Sequence, residues 1–282
     1  MIHSNSEGDI YIEEMPLLLV HLREEEKGAD ARLSEVLSYA LDGYAYETAM
    51  EISAFEDYVN RWRRLEKTQN RKNPVQGRIL FAVPLGTSGI NLELYRLIRF
   101  LREHPDFLNG FVGGLLVDSE NDLYSKSAAK DLVFAANCAG CAFVGRPLVE
   151  GTRTLSNYTI VSNNLGTDLM GAYRESAAGL VKEVLGTDCV RKKCPKVLVL
   201  HASSHKTSNT YAIWDRVKEQ LPEMEIREIG LRNGTLSDCA GCPYKMCLHF
   251  GEQGSCFYGG VMVEDVYPAV READAIVMLC PN

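Results

Sequence analysis

The sequence lacks any apolar run long enough to cross a membrane, and it lacks an excess of basic residues. A membrane-spanning helix needs about 20 consecutive apolar residues, whereas the longest stretches, such as residues 15–20, are far shorter. The 30 Lys and Arg residues are outnumbered by 38 Asp and Glu residues, which gives a formal net charge of −8. This charge argues against nucleic-acid binding driven by overall charge, and no membrane role is expected.

A secretion signal is also missing, because the first residues have neither the basic nor the apolar region of a signal peptide. Nine cysteines in such a sequence indicate reduced thiols or metal ligands rather than disulfides. A cytoplasmic location is therefore expected. With 282 residues, the chain is long enough for one large domain or two smaller ones.

Residues 1–75 have mostly helical patterns and few side chains suited to chemistry. Phe55, Val59 and Trp62 follow one another close to the spacing of a helical stripe. We therefore predict a helical N-terminal segment over residues 1–75, and a linker or turn near residues 73–77.

Residues 76–190 alternate between short apolar runs and amphipathic stretches. Such alternation predicts an α/β unit with a mostly parallel sheet and helices on both faces. The sequence of this unit contains no phosphate loop. The expected strands are 79–83, 113–118 and 141–144, and the expected helices are 92–101, 127–137 and 169–185.

Residues 196–210 combine a strand, a polar loop and the start of a helix. The apolar run 197–200 is typical of a strand that is buried on both faces. Hydroxyl side chains, a lysine and an asparagine follow it, and the free N–H groups at the helix start favour a phosphate there. The simpler alternative is that Thr207, Ser208 or Asn209 only caps the helix.

The alternation of strands and helices continues to the last residue. Strands are expected at 197–200, 224–229 and 275–280, with helices at 210–221 and 265–273. An open doubly wound sheet usually has more strands than this. Two explanations are open: the sequence is a C-terminally truncated fragment, which we favour, or residues 78–185 complete the sheet.

A cysteine-rich loop follows the second of these strands. Closely spaced thiolates on a loop can converge on an iron–sulfur cluster or on a zinc ion. The gaps between these cysteines are wider than in compact cluster motifs, so a cluster, zinc and a loop without metal all stay open. The cysteines are Cys239, Cys242, Cys247 and Cys256.

Taken in order, these motifs resemble the NAD(P)H-dependent FMN reductase and iron–sulfur flavoprotein family, which has a flavodoxin-like fold. Residues 202–210 are similar to its phosphate loop, and residues 273–277 to the strand that ends beside its flavin. Residues 195–282 are therefore expected to form the first half of such a domain, with a doubly wound parallel sheet. Residues 79–160 resemble the later strands of a flavodoxin-type domain less specifically.

The resemblance implies a flavoprotein oxidoreductase with FMN as its cofactor. Electrons would pass from NAD(P)H through FMN to a redox acceptor, with a [4Fe–4S] cluster as an optional second carrier and a homo-oligomer as the assembly. The chemistry belongs to the cofactor, so no catalytic residue is predicted. The residues implied to bind FMN are Ser203, Lys206, Ser208, Asn209, Thr210, Cys280, Pro281 and Asn282, and those implied to bind a metal are Cys239, Cys242, Cys247 and Cys256.

Two other classes of function stay open. One is a non-enzymatic electron carrier, which would hold FMN but oxidise little NAD(P)H. The other is an interaction module that is stabilised by zinc at the cysteine loop, with residues 203–210 serving only as a helix cap.

Overall fold

A computed structural model describes residues 15–21, 23, 27–68, 76–189, 192–202, 208–231 and 236–280 of the chain. The chain divides into two compact units, Met1–Cys189 and Val190–Asn282, here called the first and the second unit. Among the described residues, no helix is both long and apolar enough to span a membrane.

The first unit is built around a parallel five-stranded sheet. Its strands are β1 (Leu17–His21), β2 (Tyr46–Ala49), β3 (Gly77–Leu85), β4 (Phe111–Ser119) and β5 (Ala142–Gly151), in the spatial order β2-β1-β3-β4-β5. This order is that of a flavodoxin-like doubly wound sheet. Its helices are α1 (Lys27–Ala40), α2 (Ile52–Thr68), α3 (Leu92–Glu103), α4 (Ser125–Cys138), α5 (Thr159–Leu165) and α6 (Leu169–Gly186).

Helices cover both faces of this sheet, because its central strands are buried on both faces and consist mostly of apolar residues. Every residue of β4 is buried, and almost every residue of β3 is. One apolar cluster joins the sheet to α2, α3 and α4, and a second joins it to α1 and α6. Helix α3 shows the reason in its sequence, since Leu94, Leu97, Ile98 and Leu101 form one buried stripe.

The prediction that residues 1–75 are helical is wrong, because the segment also contains β1 and β2. These strands belong to the same sheet as residues 76–189, so the segment is not separate from the α/β unit. Strand β1 is only five residues long, and β2 is mostly exposed at the edge of the sheet. Strand β2 therefore gives no strong strand pattern, whereas β1 contains a buried apolar run over residues 17–20 that the helical prediction missed. The helical stripe at Phe55, Val59 and Trp62 is confirmed in α2.

The second unit has a parallel three-stranded sheet with the order β7-β6-β8. Its strands are β6 (Lys196–His201), β7 (Glu225–Gly230) and β8 (Ala275–Leu279), and its helices are α7 (Asn209–Lys218), α8 (Tyr244–Gly251) and α9 (Tyr267–Glu272). Because β7 and β8 lie on opposite sides of β6, right-handed crossovers predict α7 and α9 on opposite faces of the sheet. Helix α7 buries Tyr211 and Trp214 against Val197 and Val199 of β6.

The three strands predicted for residues 195–282 are confirmed within one or two residues at each end. The alternative in which residues 78–185 complete their sheet is wrong, because β3, β4 and β5 pair within the first unit. The flavodoxin-like α/β class is confirmed by both sheets, since the order β7-β6-β8 repeats the β2-β1-β3 part of the first unit.

Candidate functional site

The strand order of the second unit brings the carboxyl ends of β6 and β8 together at one edge of the sheet, the edge at which its parallel strands end. The chain leaves β6 on one side to form β7 and returns to the other side to form β8, so the direction of winding reverses between β6 and β8. Ligands of open α/β sheets bind at such a reversal. His201 at the end of β6 pairs with Leu279, and Cys280 follows directly.

The start of α7 lies at the same edge of the sheet. Ser208 is the extended residue before the helix, and its hydroxyl oxygen accepts a hydrogen bond of 3.2 Å from the Tyr211 N–H. Ser208 is therefore the helix cap that the simpler interpretation predicts. Its hydroxyl proton can still be donated to a ligand, because a capping hydroxyl uses only its oxygen as acceptor.

Four of the eight residues predicted from the sequence to bind FMN lie in the described part of the chain. Ser208 and Thr210 are half-buried, whereas Asn209 and Cys280 are exposed. Ser208, Asn209 and Thr210 stand at the start of α7, and Cys280 follows β8 directly. Ser203, Lys206, Pro281 and Asn282 lie outside the described residues.

His201 lies at the centre of this edge and is only 5% exposed. Its ring meets the ring of Tyr211 edge to face, with centroids 4.9 Å apart. Its carbonyl oxygen accepts a hydrogen bond of 2.6 Å from the Leu231 N–H, which fixes the chain where it leaves β7. His201 thus connects the ends of β6 and β7 with the first turn of α7.

A carboxylate on β7 holds α7 in place. Glu228 accepts hydrogen bonds from the Tyr211 hydroxyl, from Trp214 Nε1 at 3.2 Å and from Lys218 Nζ at 2.8 Å. Burial alone would raise the pKa of Glu228, but these three donors lower it to about 2. Burial and Glu228 together raise the pKa of Tyr211 to about 12. The carboxylate is therefore charged, and the phenol neutral, throughout the physiological range.

Replacing Glu228 by glutamine is expected to destabilise the second unit by about 1.5–3 kcal/mol near pH 7, because the three donors lose their charged acceptor. Glu228 has a folded pKa below its ordinary value of 4.5. Its contribution is therefore present above pH 4.5 and is lost as the pH falls towards 2.

Urea unfolding of the Glu228→Gln variant between pH 3 and 7 measures both effects. The matched control is Glu223→Gln, which replaces an exposed carboxylate of the same unit. Equal stability of the two variants at pH 7 would show that Glu228 does not anchor α7.

The cysteine loop does not form a metal site in the described part of the chain, where no group of three or more His, Cys, Asp or Glu side chains is placed to hold a metal. Cys239 and Cys247 are exposed, whereas Cys242 and Cys256 are partly buried. Helix α8 begins between Cys242 and Cys247, so these two thiols are carried by different backbone segments. The predicted metal ligands therefore gain no support from this structure.

His201, Tyr211 and Glu228 belong to no sequence motif. The available signal for His201 is its position as the polar last residue of an apolar strand. The contact between Tyr211 and Glu228 depends on how α7 packs against β7, which spacing along the chain does not reveal.

Comparison with known families finds one match. Residues 195–282 match the model of a family described as NADPH-dependent FMN reductase. The match covers the second unit from the start of β6 and does not extend into the first unit. No curated protein matches the chain. For residues 195–282, the match therefore confirms the resemblance to FMN reductases that the sequence motifs suggest.

Proposed function

We propose that the chain is a flavoprotein oxidoreductase that binds FMN at the carboxyl ends of β6 and β8 and reduces it with NAD(P)H. One observation carries the proposal. The segment that matches the FMN reductase family folds so that the end of a strand and the start of a helix meet at the winding reversal of a parallel sheet, and the sequence that joins them is rich in hydroxyl side chains. This is the position at which such sheets bind nucleotides.

The phosphate of FMN is assigned to the loop between β6 and α7. Ser208, Asn209 and Thr210 stand at the helix start, where N–H groups and the helix dipole favour an anion. Ser203 and Lys206 precede them in the sequence and would add a hydroxyl donor and a positive charge. The Tyr211–Glu228 contact supports this assignment, because it holds the helix start against the sheet.

The ring system is assigned to the end of β8. Cys280 follows this strand directly, after Leu279 has paired with the end of β6, and Pro281 and Asn282 come next in the sequence. A proline restricts the backbone there, and Asn282 offers both donors and an acceptor.

When bound, FMN supplies the group that accepts hydride from a nicotinamide. The side chains of this chain then serve to bind and orient the cofactor, and no acid or base is assigned among them. The described cysteines do not form a cluster site, so no electron-transfer step is assigned to Cys239, Cys242, Cys247 or Cys256. By its resemblance to the family, the protein is expected to form a homo-oligomer.

The proposal is tested by titrating the purified chain with FMN and then measuring NAD(P)H oxidation. We expect quenching of flavin fluorescence on binding and oxidation faster than with free FMN. Binding without faster oxidation would favour the electron carrier. A protein that cannot be loaded with FMN would contradict the proposal, and zinc in that protein would favour the interaction module.

A further inference from the structure

The two units share the geometry around the end of the first strand of each unit, β1 or β6. Strand β1 ends on His21 and strand β6 ends on His201, and both residues are 5% exposed. His21 pairs with Ala82 of β3, and His201 pairs with Leu279 of β8. In the sequence, a proline follows each pairing partner by two residues: Pro84 follows Ala82, and Pro281 follows Leu279. The first unit therefore has a position equivalent to the proposed FMN site.

The side chain that meets this histidine differs between the units. His21 Nε2 lies 2.8 Å from Asp30 Oδ1, and Asp30 stands in the first turn of α1. In the second unit the helix contributes the uncharged ring of Tyr211 instead. The first unit thus has a carboxylate of its own between the strand end and the helix start, where an anionic ligand would otherwise bind.

A second ion pair attaches α1 to the same edge of the sheet. Arg32 Nη2 donates to Asp118 Oδ1 at 2.7 Å, and Arg32 Nε donates to Asp118 Oδ2 at 3.0 Å. Asp118 is fully buried near the end of β4. Arg32 Nη2 also donates to the Ser119 carbonyl at 3.1 Å. Asp30 and Arg32, near the start of α1, are therefore paired with other residues of the protein.

The sequence between β1 and α1 also disfavours a phosphate. It contains three glutamates, at 24, 25 and 26, against the single cation Arg23, and it has no Ser, Thr or Asn, whereas residues 203–208 of the second unit include four hydroxyl side chains and a lysine. Like charges repel, and a phosphate would lack side-chain hydroxyl donors there. The first unit therefore does not fit the phosphate of FMN.

We propose that Asp30 occupies the anion position of the first unit, and that the chain consequently binds a single FMN, in the second unit. The first unit is then a flavodoxin-like unit that has an internal carboxylate where a nucleotide phosphate would bind. The single-FMN part rests on the proposed function of the second unit, whereas the His21–Asp30 pair does not.

The pair itself is tested by NMR titration of the His21 ring in the wild type and in Asp30→Asn. Burial lowers the pKa of His21, Asp30 opposes this effect, and the charge of Arg23 lowers the pKa further. Loss of the carboxylate should therefore lower the pKa of His21 by about one unit or more. Asp42→Asn, which replaces an exposed carboxylate of the same unit, should leave it unchanged. An unchanged His21 titration in Asp30→Asn would overturn the pairing.

The number of sites is measured on the wild type, so it does not depend on whether a variant folds. Fluorescence titration with FMN should reach saturation at one flavin per chain, and Ser208→Asp should remove that flavin. Two flavins per chain, or one that survives Ser208→Asp, would overturn the single-site proposal. Absence of any binding would contradict the proposed function, and the His21 titration would still decide the role of Asp30.

Discussion

Replacing Ser208 by aspartate is expected to weaken FMN binding at least about 100-fold. Aspartate caps a helix as well as serine does, so the hydrogen bond to the Tyr211 N–H should be kept. The added charge would face the FMN phosphate at the helix start. Two unit charges about 4 Å apart interact by about 4 kcal/mol near a protein surface, and about 1.4 kcal/mol corresponds to a tenfold change in affinity.

The matched control is Ser208→Asn, which caps the helix without adding charge. We expect its FMN affinity to fall far less than that of Ser208→Asp, with closely similar melting temperatures for the two variants. Equal affinities in fluorescence titration would show that the phosphate does not lie near Ser208. A lower melting temperature in Ser208→Asp alone would point to a damaged helix instead.

Replacing Arg32 by methionine is expected to destabilise the first unit by about 3–5 kcal/mol. The change leaves Asp118, which is 0% exposed, without its charged partner, and an unpaired buried charge costs about this much. Burial already raises the pKa of Asp118, and the Arg32 guanidinium counteracts that shift. Without Arg32 the folded pKa should rise further. The defect should therefore be largest at neutral pH and should shrink as the pH falls and Asp118 becomes protonated.

Thermal unfolding measures this effect, with an expected fall in melting temperature of roughly 10 °C for a unit of this size. The control Arg96→Met removes the exposed pair with Glu93 and should cost less than about 0.5 kcal/mol. The double variant Arg32→Met/Asp118→Asn should recover part of the loss, because the unpaired charge is gone. Equal effects of Arg32→Met and Arg96→Met would show that the buried pair contributes little.

The sequence predicts most strands that contain an apolar run, with β1 as the exception. Strands β3, β4, β6 and β8 all contain such runs, and their positions agree with the prediction. Strand β2 has the polar sequence Tyr46–Ala49 and is recognisable only from its pairing with β1. The five-stranded order of the first unit therefore becomes visible only in the structure.

The candidate site is predictable to a similar, limited extent. The capping position of Ser208 follows from local sequence, because a cap is a contact over three residues. The pairs Tyr211–Glu228 and His21–Asp30 join different elements, so their formation depends on packing rather than on spacing. Whether the four cysteines converge also depends on packing: Cys247 lies in α8 and Cys239 in the loop before it, and the described residues include no group of three or more side chains placed to hold a metal.

Hydrogen–deuterium exchange with and without FMN tests the central claim most directly, because it locates the flavin along the chain. Binding at the ends of β6 and β8 should slow exchange in peptides that cover residues 201–212 and 275–282. Peptides that cover residues 17–33 and 79–91 of the first unit should exchange at the same rate in both samples. Protection of the first unit alone, or no protection at residues 201–212, would contradict the account.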